Sequence, residues 1–195
     1  MGQRIIGLTG GIGTGKSTVS DYLATQYNVP ILDADDYAKE AVSTDSPILE
    51  QIKQRYGHQI LQPDGSLNRS RLGEIIFNQP AEKQWLEQQI HPHVRQKIET
   101  ALSQLEASLI VVVIPLLFEA EMTDLVTETW VVYCSSQQQL ARVMERDKLS
   151  EKDARSRIDS QLSLQEKVTL ADVAIDNSGT VNELYQQVDQ ATIKG

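Results

Sequence analysis

One short stretch limits what this chain can fold into more than any other. Arg4 to Thr9 reads R-I-I-G-L-T, an apolar run suited to a buried strand, and Gly10 to Ser17 reads G-G-I-G-T-G-K-S. The second run satisfies G-x-x-x-x-G-K-[ST], the phosphate-binding loop, and Val19, Tyr22, Leu23 and Tyr27 follow at helical spacing. A strand, a glycine-rich turn and a helix in that order place backbone N–H groups and the positive end of a helix dipole around one anion. The residues expected to line nucleotide phosphates are Gly11, Ile12, Gly13, Thr14, Gly15, Lys16, Ser17 and Thr18. Lys16 supplies a point charge to the β/γ-phosphates, and the Ser17 hydroxyl can ligate a magnesium ion.

Apolar runs recur along the chain as they do in a parallel sheet: Arg4–Thr9, Val29–Leu32, Leu109–Ile114, Thr129–Cys134 and Val173–Ile175, with helical stretches between. This predicts a doubly wound, five-stranded parallel α/β core over residues 1–33, 107–135 and 171–195, within a single domain of 195 residues. Residues 34–106 carry helical stripes and no strand: Ile48, Leu49, Ile52 and Tyr56 end at Gly57, and Leu72, Ile75 and Ile76 end at N-Q-P. A longer helix reaches about Leu105 and is expected to break at His91-Pro92. This insertion is large enough to form a wall for a second substrate. Residues 136–170 carry capping-box patterns at Ser136-Gln139, Ser150-Asp153 and Ser163-Glu166. They also hold a local excess of Arg and Lys, which reads either as a solvated helical face or as a lid over phosphates. Arg142 and Arg146 are four apart and could converge on one anion.

A formal net charge of −9 argues against nucleic acid or an acidic membrane as partner. The longest apolar stretch, from Leu109, is too short to span a bilayer, and no signal pattern precedes the loop. The lone Cys134 allows no internal disulfide, so a reduced cytoplasmic setting is expected. His91 and His93 lack further ligands at zinc spacing.

Asp33 closes the second apolar run, in I-L-D-A-D-D, and so falls at the carboxyl end of a strand. It can accept the proton of an attacking hydroxyl, or it can cap the helix that follows; placement alone does not choose. The third run ends in Pro115 where many nucleotide hydrolases place a magnesium-holding Asp, and Glu119 is the nearest carboxylate, open to capping a helix or holding metal-bound water. No N-K-x-D guanine signature is present. A small kinase with a lid and an acceptor wall fits these features.

Beyond the loop, the chain resembles the dephospho-coenzyme A kinases. The resemblance is carried by D-A-D-D-Y-A-K-E (Asp33–Glu40), D-G-S-L-N-R-S-R-L-G-E-I-I-F (Asp64–Phe77), L-E-Q-Q-I-H-P-H-V (Leu86–Val94), P-L-L-F-E (Pro115–Glu119), R-V-M-E-R-D (Arg142–Asp147), A-R-S-R-I-D-S-Q (Ala154–Gln161) and A-D-V-A-I-D-N-S-G (Ala171–Gly179). It implies a P-loop NTPase-type kinase that passes the γ-phosphate of ATP, with magnesium, to the ribose 3′-hydroxyl of dephospho-coenzyme A, the last step of coenzyme A synthesis. It further implies Asp33 as the base, Lys16 and the loop amides on ATP, Arg142 and Arg146 on the transferring group, and Arg69 and His91 as polar contacts to the acceptor. A monomer is expected, with an oligomer left open. Two positions depart from the family pattern: Asn68 stands before Arg69 where Asp is frequent, and Lys39 stands where Arg or His is common. A nucleoside monophosphate kinase would share loop and lid but not the His91-Pro92 and Pro115–Glu119 segments. A regulatory nucleotide-binding module would not need Asp33 beside the loop.

Overall fold

In the computed structural model, which describes residues 2–194, Arg4–Gly10 (β1) takes the centre of a five-stranded parallel sheet. The other strands are Ile31–Asp33 (β2), Leu109–Val113 (β3), Glu128–Tyr133 (β4) and Val173–Asp176 (β5), in the order β2-β3-β1-β4-β5. Each bound agrees with the sequence reading to within one or two residues. The largest shift is at β2, which begins after Val29-Pro30: proline has no N–H for the ladder, and its carbonyl accepts the Val111 N–H at 3.0 Å instead. Chain connections from β1 and β4 run to opposite sides of the sheet, so the topological switch point lies at their carboxyl ends, where ligands bind in this architecture.

Both faces of the sheet are covered, which explains why β3 reads as uninterrupted aliphatic residues. On one face Ile6, Leu8, Val111, Val113, Trp130 and Val132 pack with Val19 and Leu23 of α1 (Lys16–Tyr27) and with Leu184 and Val188 of α9 (Val181–Lys194). Helices α1 and α9 are also joined by a Tyr22–Tyr185 stack, ring centroids 3.9 Å apart, and by Asp189, which accepts the hydroxyls of Tyr22 and Tyr27 at 2.8 Å each. The Asp189 carboxylate pushes the Tyr22 phenol up to about 12.

Between β4 and β5 run α6 (Ser136–Asp147), α7 (Glu151–Asp159) and α8 (Leu164–Leu170). Ser150 and Ser163 cap α7 and α8, the latter as a full capping box with Glu166. The cap of α6 is Ser135, one residue earlier than the pattern at Ser136 predicts. Ser135 has the extended backbone a cap needs and accepts from the Gln138 N–H, which leaves Gln139 free for a longer reach. These three helices belong to the same compact unit as the sheet. Lys167 of α8 is fully buried. Its Nζ lies 2.8 Å from Glu119 Oε1 and donates to the Pro115 carbonyl at 3.0 Å, pinning α8 to the turn after β3.

Residues Ala34–Gln104 form a second compact unit of helices: α2 (Ala34–Ala41), α3 (Pro47–Tyr56), α4 (Arg69–Asn78) and α5 (Pro80–Gln104). Its core joins Val42, Leu49, Ile52, Ile60, Leu67, Leu72 and Leu86. The expected break at His91-Pro92 does not occur, since α5 runs unbroken for 25 residues with Pro92 inside. Proline's fixed φ is helical, and its cost of roughly 3 kcal/mol is offset by burial of Leu86, Val94 and Ile98 on the same helix, each contributing about 1.5–3 kcal/mol. Arg55 ties α3 to α5: its guanidinium meets Glu82 at 2.6 and 2.9 Å and lies over the Trp85 ring, 4.5 Å from its centroid. The Tyr56 hydroxyl donates to the same carboxylate at 2.6 Å.

Two outcomes follow from these ion pairs. Arg55, with help from Tyr56, holds the Glu82 carboxyl down from 4.5 to about 2. A depressed carboxyl gives stability that is complete above its ordinary value and is lost as pH falls through the folded one. The helical unit should therefore soften as pH drops from 4.5 toward 2, and Glu82→Gln should flatten that acid limb in thermal melts followed by circular dichroism. Glu119→Ala would leave the Lys167 ammonium buried without its counter-charge and should cost about 3 kcal/mol in urea unfolding. Adding Lys167→Met should recover part of that loss, because no charge is then stranded.

Candidate active site

Gly10 ends β1 against β4, and the chain turns there into the phosphate loop. Gly15 occupies the N-cap of α1 with left-handed backbone and no side-chain cap, so the first N–H groups of the helix are not taken by a capping side chain. Lys16 opens the helix, and its Nζ donates to the Gly10 and Gly11 carbonyls at 3.1 and 3.0 Å, folded back over the loop. Thr14 is fully buried, with its hydroxyl on the Gly11 carbonyl at 2.9 Å. Ser17 is exposed in the first turn of α1. Within Gly11 to Thr18, the Ile12 N–H is taken by the side chain of Gln161 at 2.9 Å and the Thr14 N–H by the Gly11 carbonyl at 3.4 Å.

Asp33 is the last residue of β2. It pairs in register with Val113, which in turn pairs with Leu8. Asp33 therefore stands level with Leu8, two strands from β1, a lateral distance of about 10 Å at ordinary strand spacing. Ala34 begins α2 directly after it.

Arg142 and Arg146 do not converge in this structure. Arg142 donates from Nη2 to the Asn177 carbonyl at 3.1 Å, beyond the end of β5, and its Nη1 is buried without a hydrogen-bond partner. Arg146 is held by its neighbour Asp147 through a two-pronged contact at 2.7 and 3.0 Å, and Arg157 reaches the same carboxylate at 3.1 Å. The adjacent carboxylate captures the Arg146 fork, whereas Arg142, one turn earlier, reaches the end of the sheet. Asn177 in turn donates from Nδ2 to the Thr14 carbonyl at 2.7 Å, linking Arg142 to the phosphate loop.

Within the helical unit, Arg69 opens α4, while Asn68 before it serves as N-cap and accepts the Arg71 N–H at 3.1 Å. Asparagine caps as well as aspartate, so this departure from the family pattern leaves the local structure intact. Arg69, Lys39, Val42 and Leu67 border two adjoining cavities. One, of about 610 Å³, is lined by Ser43, Thr44, Gln62 and Ser66; the other, of about 340 Å³, is lined by Leu72, Ile76, Leu86 and Ile90. His91 is half-buried on α5 and lines neither cavity. Lys39 contacts Asp36 at 2.7 Å. Glu119, whose role the sequence leaves open, pairs with Lys167 and accepts the Leu162 N–H at 2.9 Å.

The sequence pattern assigns no role to Gln161 or Asn177, and gives Gln139 only a capping-box place with Ser136, whereas its side chain reaches the Ile12 carbonyl. Asn177 and Gln161 lie in stretches that carry the family resemblance, but nothing local in a glutamine or asparagine marks it as a partner of a loop far away in the chain. As for magnesium, the described residues hold no group of three His, Cys, Asp or Glu that could cage a metal. A hydroxyl such as Ser17's suits a hard cation that takes most of its ligands from phosphate and water.

Comparison with known proteins agrees with this geometry. The family model described as dephospho-CoA kinase matches residues 4–183. The dephospho-CoA kinase of Trichormus variabilis is 57% identical over 191 residues, covering 98% of this chain and 97% of that one. That of Synechocystis is 56% identical over 190 residues, covering 97% and 94%. The solved dephospho-CoA kinase from Campylobacter jejuni superposes with a TM-score of 0.72 at 29% identity, covering 99% of this chain and 97% of that one. With the phosphate loop, the strand-end aspartate and the sheet order all in place, the chain belongs to the dephospho-CoA kinase family.

Proposed function

We propose that this kinase passes the γ-phosphoryl group of ATP to the ribose 3′-hydroxyl of dephospho-coenzyme A, giving coenzyme A and ADP, with Asp33 as the base. The observation that carries the reading is Asp33 itself, a carboxylate at the carboxyl end of β2, level in register with the strand that feeds the phosphate loop. Asp33 takes the proton of the 3′-hydroxyl as its oxygen bonds to the γ-phosphorus and the bond to the β-γ bridging oxygen breaks. Lys16 and the cradle amides hold the β- and γ-phosphates, and ADP leaves with the bridging oxygen. Arg142 supports this reading through its buried Nη1, a charged donor with no partner of its own, suited to phosphate oxygen. Arg146 would join it only after releasing Asp147.

Magnesium is assigned to Ser17 together with the nucleotide, and when bound it offsets charge on the β- and γ-oxygens. Acceptor contacts are assigned to Arg69 and His91; Arg69 stands where a polar and an apolar cavity adjoin, a combination that suits an amphiphilic nucleotide derivative. No helix among the described residues is long and apolar enough to cross a membrane. From the lone Cys134 we place the enzyme in the cytoplasm, acting on small-molecule substrates as a monomer, with an oligomer left open.

ADP release with magnesium-ATP should depend on dephospho-coenzyme A and not on AMP or CMP, and release with a monophosphate would reassign the acceptor. Asp33→Asn should lower kcat by roughly 10²–10⁴-fold while calorimetry still detects ATP binding. Loss of ATP binding in that variant would instead make Asp33 a structural or metal-linked residue.

A further inference from the structure

The two polar groups of Ile12, at the tip of the phosphate loop, are both held by glutamines from other elements. Gln161, in the connection between α7 and α8, accepts the Ile12 N–H through Oε1 at 2.9 Å. Gln139, 4% exposed on α6, donates through Nε2 to the Ile12 carbonyl at 2.9 Å. Neither assignment can be reversed, because a peptide N–H only donates and a carbonyl only accepts.

Ile12 sits between Gly11 and Gly13, and the left-handed φ of 76° at Gly13 is open to a residue without a side chain. The peptide planes flanking Ile12 are therefore among the easiest in the loop to turn over. In a trans peptide the N–H and C=O point in opposite directions, so fixing one fixes the other. Holding the Ile12 N–H fixes the Gly11 carbonyl, which accepts Lys16 Nζ at 3.0 Å and the Thr14 hydroxyl at 2.9 Å. Holding the Ile12 carbonyl fixes the direction of the Gly13 N–H, a donor of the anion nest. A turned peptide would set a carbonyl oxygen where phosphate needs a donor.

Gln161 is itself anchored. The next residue, Leu162, donates its N–H to Glu119 at 2.9 Å, and Glu119 is held by the buried Lys167 at 2.8 Å.

We propose that Gln161 and Gln139 are positioning residues for ATP: by pinning the two peptides at Ile12 they keep the loop in its phosphate-accepting form before nucleotide arrives. The proposal rests on reading this loop as the ATP phosphate site. Preorganisation of this kind appears in nucleotide affinity, because without it the loop must be ordered during binding.

The test uses Gln161→Met and Gln139→Met in the full chain; methionine is close in length to glutamine but has neither the amide donor nor its oxygen. Calorimetric Kd for magnesium-ATP, KM for each substrate and the thermal midpoint are compared with the unaltered protein. Loss of one pinned peptide should weaken ATP about tenfold in Kd and KM. The KM for dephospho-coenzyme A should hold, and the midpoint should shift little for the half-buried Gln161. Unchanged ATP affinity in both variants would overturn the proposal while leaving the loop assignment standing. A parallel loss in ATP affinity, acceptor KM and thermal midpoint would overturn it as well, since the glutamines would then be general packing. Failure of the unaltered protein to bind ATP would remove the loop assignment and the proposal together.

Discussion

At the carboxyl end of β1 there is no room for a side chain. Gly10 pairs with Val132 of β4, and a Cβ placed on Gly10 would collide with the Val132 carbonyl oxygen. Its φ of 146° is also one that other residues rarely adopt. This contact decides where the chain leaves the sheet, and the remainder of the site is hung from it. The loop begins at the switch point, Gly15 lies at the head of α1, and Lys16 can fold back over two carbonyls. A methyl group at Gly10 would not only strain one residue; it would part β1 from β4 at the level where phosphate is expected.

The segments around the loop are joined by polar contacts placed where water has little access. Asn177 holds Thr14, and the same residue's carbonyl holds Arg142. Lys167, wholly buried, joins α8 to the turn after β3 through Glu119 and Pro115. Such pairs add less to stability than apolar packing of equal size, but they fix geometry, because a buried charge has few alternative partners. The catalytic surroundings are thus stiffened by directional contacts, while the sheet beneath depends on Ile6, Leu8, Val111, Trp130 and their neighbours.

Much of this was legible in the sequence because it depends on local pattern. The phosphate loop, the five strands, the caps at Ser150 and Ser163 and the stripe ending at Gly57 each follow from residues within a few positions of one another. Asp33 could be placed at a strand end, yet its choice between base and cap was not written in its surroundings. Pro92 was misread because a proline's cost is local, while the burial that offsets it is spread along α5. For a different reason Gln139 reads locally as a capping partner of Ser136 and Gln161 carries no local signal: their partner, Ile12, lies more than a hundred residues away, and an amide side chain has no spacing signature. The separation of Arg142 from Arg146 likewise depended on Asp147 and Asn177, which helical spacing cannot rank.

The register of β1 also bears on the order in which the protein can be completed as it is made. The strand that feeds the phosphate loop is made well before its neighbours in the sheet, for Arg4 finds its partner only at Leu109 and Ile6 its other partner only at Glu128. Elongation at roughly 5–20 residues per second puts about 5–20 s between them. In that interval residues 34–104, whose core is their own, emerge whole and can pack. The nascent chain would thus present a folded helical unit preceded by an unpaired, glycine-rich strand. The central strand, made before the helical unit, is completed after it.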